Sequence, residues 1–178
     1  NLQKIHNIKI DYLLLESEMF FDLLKSNETN PLREMLYNKL VILYPQDFWI
    51  EIKSAIESGM KIILKKDETN PAKIKEQDLV YNLARFGYVE FGPQLKQGES
   101  ICIEYIITAI MFQNDARRID AIPIIIAKNS EKTSYDLLLF LSRKYNFEGK
   151  ILGILRALRN LVAHGMKSID EPIRLLET

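Results

Sequence analysis

The sequence predicts an all-α fold, a helical bundle of roughly six to eight helices. Three observations predict it. Apolar residues recur at helical spacing along most of the chain, Pro and Gly fall between those stretches, and no linker rich in Gly, Ser or Pro interrupts them. The first helix is expected at 11–25, where Leu13, Leu14, Met19, Phe20, Leu23 and Leu24 form the stripe. Asn27 to Asn30 breaks it, and Pro31 opens a second helix at 31–43, as proline does at a first helical position. Tyr44-Pro45 closes that one, because the residue before proline avoids helical backbone. A third helix is expected at 46–65, with Asp47 near its start, Phe48, Ile52, Ile56 and Ile63 on its stripe, and Gly59 as a weak point.

Glu28-Thr29-Asn30-Pro31 returns as Glu68-Thr69-Asn70-Pro71. The flanks do not align, so this reads as one helix-start chemistry used twice rather than a structural repeat. A fourth helix follows at 71–86. Gly87 to Gly98 is loop chemistry that leaves room for a short β element near 88–91. Ser100 to Gln113 is strongly apolar and is the expected centre of the core. Asp115 to Lys128 is helical with a break near Ala121, since an interior Pro123 would cost about 3 kcal/mol. Ser134 to Tyr145 and 147–164 are the last long helices, Gly165 is a helix stop, and Ile169 to Leu176 a final turn. The weakest joints lie at Lys66 to Asn70 and Gly87 to Gly98. The chain therefore divides into an N-terminal extension or partner-binding segment, 1–70, and a bundle, 71–178.

The chain is 47% hydrophobic, enough to bury a core, and its 24 basic and 24 acidic residues cancel. A global electrostatic drive toward nucleic acid is thus excluded, and any such contact must come from a local patch. The single cysteine, Cys102, sits between isoleucines and reads as a small buried apolar group; it forms no internal disulfide and no zinc site alone. The longest apolar run, Ile101 to Phe112, is too short for a bilayer and is broken by Glu104. Asn1 to Lys9 lacks the apolar centre of a signal peptide. These features fit a cytoplasmic setting. A first residue that is Asn rather than Met fits a piece of something longer.

The sharpest functional signal is on the last long helix. At about 100° per residue, Ile151, Ile154, Leu155, Leu158, Leu161 and Val162 fall on one side, which must face the core. Arg156, Arg159, Asn160 and His164 fall within roughly 140° on the other. Arg156, Asn160 and His164 are successive i, i+4 neighbours along one ridge. Leu152 and Ala163 share that side, so another helix or a second subunit is expected to cover part of it. An imidazole titrating near neutrality can move a proton. A guanidinium can grip a phosphate at two points and stabilise its developing charge. An amide can fix the imidazole tautomer or donate to a phosphate oxygen. A base beside a 2′-hydroxyl, with an anion clamp, suffices to cleave RNA by internal transesterification, and no metal or other cofactor is called for.

Arg159-Asn160-Leu161-Val162-Ala163-His164, followed by Gly165, resembles the signature of the HEPN superfamily. Those domains are helical bundles whose motif is Arg, a polar residue, three variable residues and His. The resemblance implies a metal-independent endoribonuclease in which Arg and His from two subunits of a homodimer line one cleft. It makes His164 the acid or base, Arg159 the phosphate stabiliser and Asn160 the polar second position. Arg156, Arg117, Arg118 and Lys167 are the accompanying candidates for RNA contact. Several members act in defence or as toxins beside a small nucleotidyltransferase antitoxin. Toxin members often carry Tyr two residues after His; here Met166 stands there, so control through that Tyr is not implied.

A competing reading makes the chain a non-catalytic helical module that binds a protein or nucleic acid, with Phe20-Phe21 and Phe48-Trp49 as its partner surface. Arg117-Arg118 with Lys128 reads either as a phosphate-contacting patch or as a solvated face. Tyr81, Tyr88, Phe91 and Arg85 read as base-stacking groups or as core. Asp115 and Asp120, at i, i+5, are poorly spaced to share a metal. His6 has no assigned role. Phosphate-binding glycine loops and nucleophile elbows are absent from the sequence.

Overall fold

The computed structural model describes residues 13–37, 45–62, 69–90, 97–161 and 169–177. Its helices are α1 (Ser17–Lys25), α2 (Pro31–Tyr37), α3 (Pro45–Glu57), a 3-10 turn η1 (Pro71–Lys73), α4 (Glu76–Arg85), α5 (Ile103–Gln113), α6 (Ala116–Ile119), α7 (Ala121–Lys128), α8 (Tyr135–Tyr145), α9 (Glu148–Leu161) and α10 (Asp170–Leu176). The architecture is the expected all-α bundle. Tyr88 to Glu90 forms no strand, and Phe91 lies outside the described residues. Among the described residues the single β-type pairing is a parallel bridge between Thr29 and Ile101.

Several boundaries moved for local reasons. The first helix starts at Ser17 rather than at 11, with extended Glu16 before it. The third ends at Glu57, because Gly59 turns into positive φ (+92°) two residues on. Pro45 opens that helix instead of only closing the previous one. The expected 71–86 helix is split: η1 ends at Lys73, and α4 begins at Glu76 after two extended residues. Pro123 acts as anticipated. The chain breaks at Asp120, so the proline falls third in α7, where an amide proton has no intrahelical acceptor.

The duplicated motif does start two helices with the same chemistry. Asn30 Oδ1 accepts from the Arg33 amide (3.2 Å), and Asn70 Oδ1 accepts from the Ala72 amide (2.9 Å), each with proline next in the chain. Asn114 and Asn146, at φ 52° and 59°, end α5 and α8 in the left-handed conformation.

Helix α5 is the axis of the core. Every residue from Ile103 to Met111 is buried, and the helix packs on η1, α4 and α8. Helices α7 and α8 add Ile122, Ile125, Ile126, Leu137, Leu138 and Leu141, and α9 adds Ile151, Leu155 and Leu158. α10 closes the far side against α8 and α9 through Ile173.

A buried polar node ties the N-terminal helices to this core. The Asn82 amide, on α4, donates to the carbonyls of Asp78 (2.7 Å) and Glu99 (2.8 Å). Its Oδ1 accepts from the Ile101 amide (3.1 Å) and from Arg85 Nη2 (2.8 Å). Arg85 also donates to the Ile101 carbonyl and pairs with Glu28. The segment so held then pairs with Thr29, whose amide donates to the Ser100 carbonyl (2.9 Å) and whose carbonyl accepts from the Cys102 amide (3.0 Å). A second tie is Glu34, which accepts from the Tyr105 hydroxyl (2.9 Å) and the Thr69 amide (2.7 Å).

Replacing Asn82 with Ala strands the buried Ile101 amide and the Glu99 carbonyl and removes one contact of the Arg85 guanidinium. We expect Asn82→Ala to lose about 3 kcal/mol or more of stability in urea unfolding. Asn70→Ala, whose cap is exposed, should lose only about 1 kcal/mol.

Candidate functional site

Helix α9 presents its motif from a rigid base. Ile151, Leu155 and Leu158 are buried, as the periodicity requires, and Arg156, Arg159 and Asn160 are exposed. Leu161 departs from expectation: it is 78% exposed rather than on the core side. The side chains of Arg159 and Asn160 make no hydrogen bond or ion pair with any described residue. His164 and Lys167 lie outside the described residues, as do Val162 and Ala163.

The remaining candidates are already engaged. Arg156 donates through Nη2 (2.7 Å) and Nε (3.2 Å) to one oxygen of Glu177, just past α10. Arg118 grips both carboxylate oxygens of Glu76 (2.9 and 2.6 Å), donates to Gln113, and keeps only 18% of its side chain exposed. Arg117 is exposed beside it and Asp115 caps α6, so the structure gives that acid a helix-start role. Lys128 donates to the Gly87 carbonyl (2.6 Å). The Arg117–Arg118 patch adjoins the N-terminal end of α9, where Lys150 donates to Asn114 Oδ1 (2.8 Å). Arg159 is about nine residues further on, roughly 13 Å along the axis.

The outer face of α9 has a feature that the sequence reading passed over. Gly149, Gly153 and Ala157 are exposed at four-residue intervals, and Asn160 projects within about 60° of all three. A Cβ added at Gly149 or Gly153 would meet nothing within 4 Å. Glycine inside a helix costs about 1 kcal/mol against alanine, and no packing among the described residues requires it at either position.

Of the proposed stacking group, Tyr81 is half-buried and Phe91 lies outside the described residues. Arg85 is committed to the Asn82 node and lies over Phe86 (4.3 Å), and Tyr88 is buried. Among the described residues, no three His, Cys, Asp or Glu side chains converge to hold a metal ion, and no helix is long and apolar enough to cross a membrane.

A second site, missed from sequence, surrounds Glu104. That residue drew notice only for interrupting an apolar run. In the fold its carboxylate is fully buried, accepts from the Ser134 amide (2.6 Å) and contacts the Cys102 thiol. Burial raises its pKa to about 7. Burial also pushes the Cys102 thiol well above its ordinary value. Both side chains line an open cavity of about 530 Å³ between α1, the start of α5 and the loop before α8. Recognising it needed the distant contact of α1 with residues 129–134.

No protein-family model, curated protein or solved structure matches the chain.

Between the unfolded value of 4.5 and about 7, the folded carboxyl of Glu104 holds a proton that the unfolded chain releases. Stability should therefore fall as pH rises through that window, by at most about 3 kcal/mol, and level off above it. Chemical denaturation at pH 5 and pH 8 checks this; Glu104→Gln should remove most of the difference.

Proposed function

We propose that this chain is a metal-independent endoribonuclease acting as a homodimer, with Arg159, Asn160 and His164 as its site. The observation that carries the reading is the exposed Arg159 guanidinium, unengaged by any described residue, on a helix whose opposite side is locked into the core. Asn160 lies beside it, and His164 follows in the sequence at the spacing of the motif it resembles. His164 takes the proton of a 2′-hydroxyl, and the 2′-oxygen attacks the adjacent phosphorus. Arg159 steadies the added negative charge. The 5′-oxygen leaves with a proton from a second imidazole, leaving a 2′,3′-cyclic phosphate and a 5′-hydroxyl. That second acid is the reason for a two-fold partner. The open Gly149–Gly153–Ala157 face supports the pairing, because small residues let two helices approach closely enough to bring two copies of Arg159 and Asn160 to one groove. Exposed Leu161 would gain cover in the same contact.

A second reading has its own support. Phe20, Phe21, Phe48 and Trp49 form a chain of edge-to-face ring contacts between α1 and α3, and Trp49 remains 47% exposed, with Ile50 and Ile56 exposed nearby. Such a surface suits a protein partner. A nucleotidyltransferase-type antitoxin, implied by the resemblance, would dock there. A stable monomer that leaves RNA intact would favour this reading alone.

The purified chain should cut single-stranded RNA in EDTA. His164→Ala and Arg159→Ala should each slow cleavage by about a hundredfold or more with unchanged circular dichroism. Cleavage by His164→Ala at the parent rate sinks the mechanism. Gly153→Leu places its side chain in open space, so the monomer should fold. Sedimentation should show loss of the dimer, and cleavage should fall with it; a full dimer with full activity would exclude this face as the interface.

A further inference from the structure

The cavity at Glu104 has walls of two kinds. Met19, Leu23, Phe86 and Ile103 supply apolar surface, and carboxylates stand at the mouth and floor. Asp22 is engaged by Lys25, and Glu28 by Arg85. Glu16, Glu18 and Glu131 form no ion pair with any described residue. Lys132 is the sole base among the described lining residues.

At the floor, Glu104 is a buried carboxyl with no lysine or arginine paired to it among the described residues. A charge in that position is costly unless a cation comes to it. The volume of about 530 Å³ lies within the range of small-molecule sites. A compact metal ion does not fit the arrangement, since no three acidic, Cys or His side chains among the described residues converge. A lining that holds several carboxylates together with apolar side chains matches a cation that carries both ammonium groups and hydrocarbon.

We propose that this pocket binds an aliphatic polyamine, with one ammonium group meeting the Glu104 carboxylate at the floor and the others meeting Glu16, Glu18 and Glu131 at the mouth. The methylene segments lie against Met19, Leu23 and Ile103. The site stands apart from the α9 motif and does not depend on the nuclease reading.

Binding is linked to proton release. An ammonium at the floor favours ionised Glu104, so at pH 7, where the carboxyl is about half protonated, the parent should release up to about half a proton per ligand bound. The charged groups facing Glu104 are the Cys102 thiol and Glu28, with the rim carboxylates and Lys132 further out. Cys102 stays protonated at this pH, because burial and Glu104 both raise it.

Spermidine is the probe, titrated by calorimetry at pH 7 into the whole chain in two buffers of different ionisation enthalpy. Saturable one-to-one binding is expected, with a buffer-dependent heat that reports proton release. Glu104→Gln should weaken binding by about tenfold or more and abolish the buffer dependence. The exposed double variant Glu16→Gln, Glu131→Gln should weaken binding while leaving proton release in place. Should Glu104→Gln not fold, this surface variant decides alone. Absence of saturable heat, binding by both variants equal to the parent, or displacement of spermidine by Mg2+ at matched ionic strength would each overturn the proposal.

Discussion

The fold depends on how one carboxamide is satisfied. Asn82 is fully buried; its amide donates to the carbonyls of Glu99 and, one turn back in α4, Asp78, and its oxygen accepts from the Ile101 amide and from Arg85. The stretch 99–101 has no sheet or helix of its own to absorb its backbone groups. Buried amides and carbonyls must find partners. Asn82, Arg85 and the bridge to Thr29 provide them. The same contacts fix where α1 and α2 stand relative to α5, and therefore the shape of everything on that side, including the Glu104 cavity.

The core helix shows the same economy. A helix apolar all round is buried all round, and α5 contains two buried polar residues, Glu104 and Thr108, that must be accommodated. Thr108 turns its hydroxyl back on the Glu104 carbonyl (2.8 Å), while the Glu104 carboxylate caps the turn before α8. The carboxylate thus couples the start of α5 to the start of α8. Burial also holds its charge near balance at neutral pH.

Much of the helical layout was legible in the residues. Pro31, Pro123, Ser134 and Asn30 act locally: proline lacks an amide proton, and short oxygen-bearing side chains cap nearby amides. The start at Ser17 and the split at Lys73 were not legible from periodicity, whereas the end at Glu57 follows from Gly59, whose positive φ (+92°) leaves helical backbone. The burial of α9 was readable for Ile151, Leu155 and Leu158 and failed at Leu161, where the helix end has no neighbour among the described residues to cover it. Of the site candidates, Arg159 and Asn160 are exposed. Arg156 and Arg118 are committed to Glu177 and Glu76, partners 21 and 42 residues away that periodicity has no means of indicating.

By itself, the sequence determined the all-α class, the helix starts at its prolines and cap residues, and the side of α9 on which Arg159 and Asn160 stand. These follow from interactions within a few residues along the chain. Tertiary structure alone decided that Arg159 has no partner among the described residues, that Asn82 is the joint of the fold, and that Glu104 floors a cavity rather than merely interrupting an apolar run. Those outcomes depend on groups far apart in sequence meeting where water is excluded, and burial of a polar group forces a partnership that no local pattern encodes.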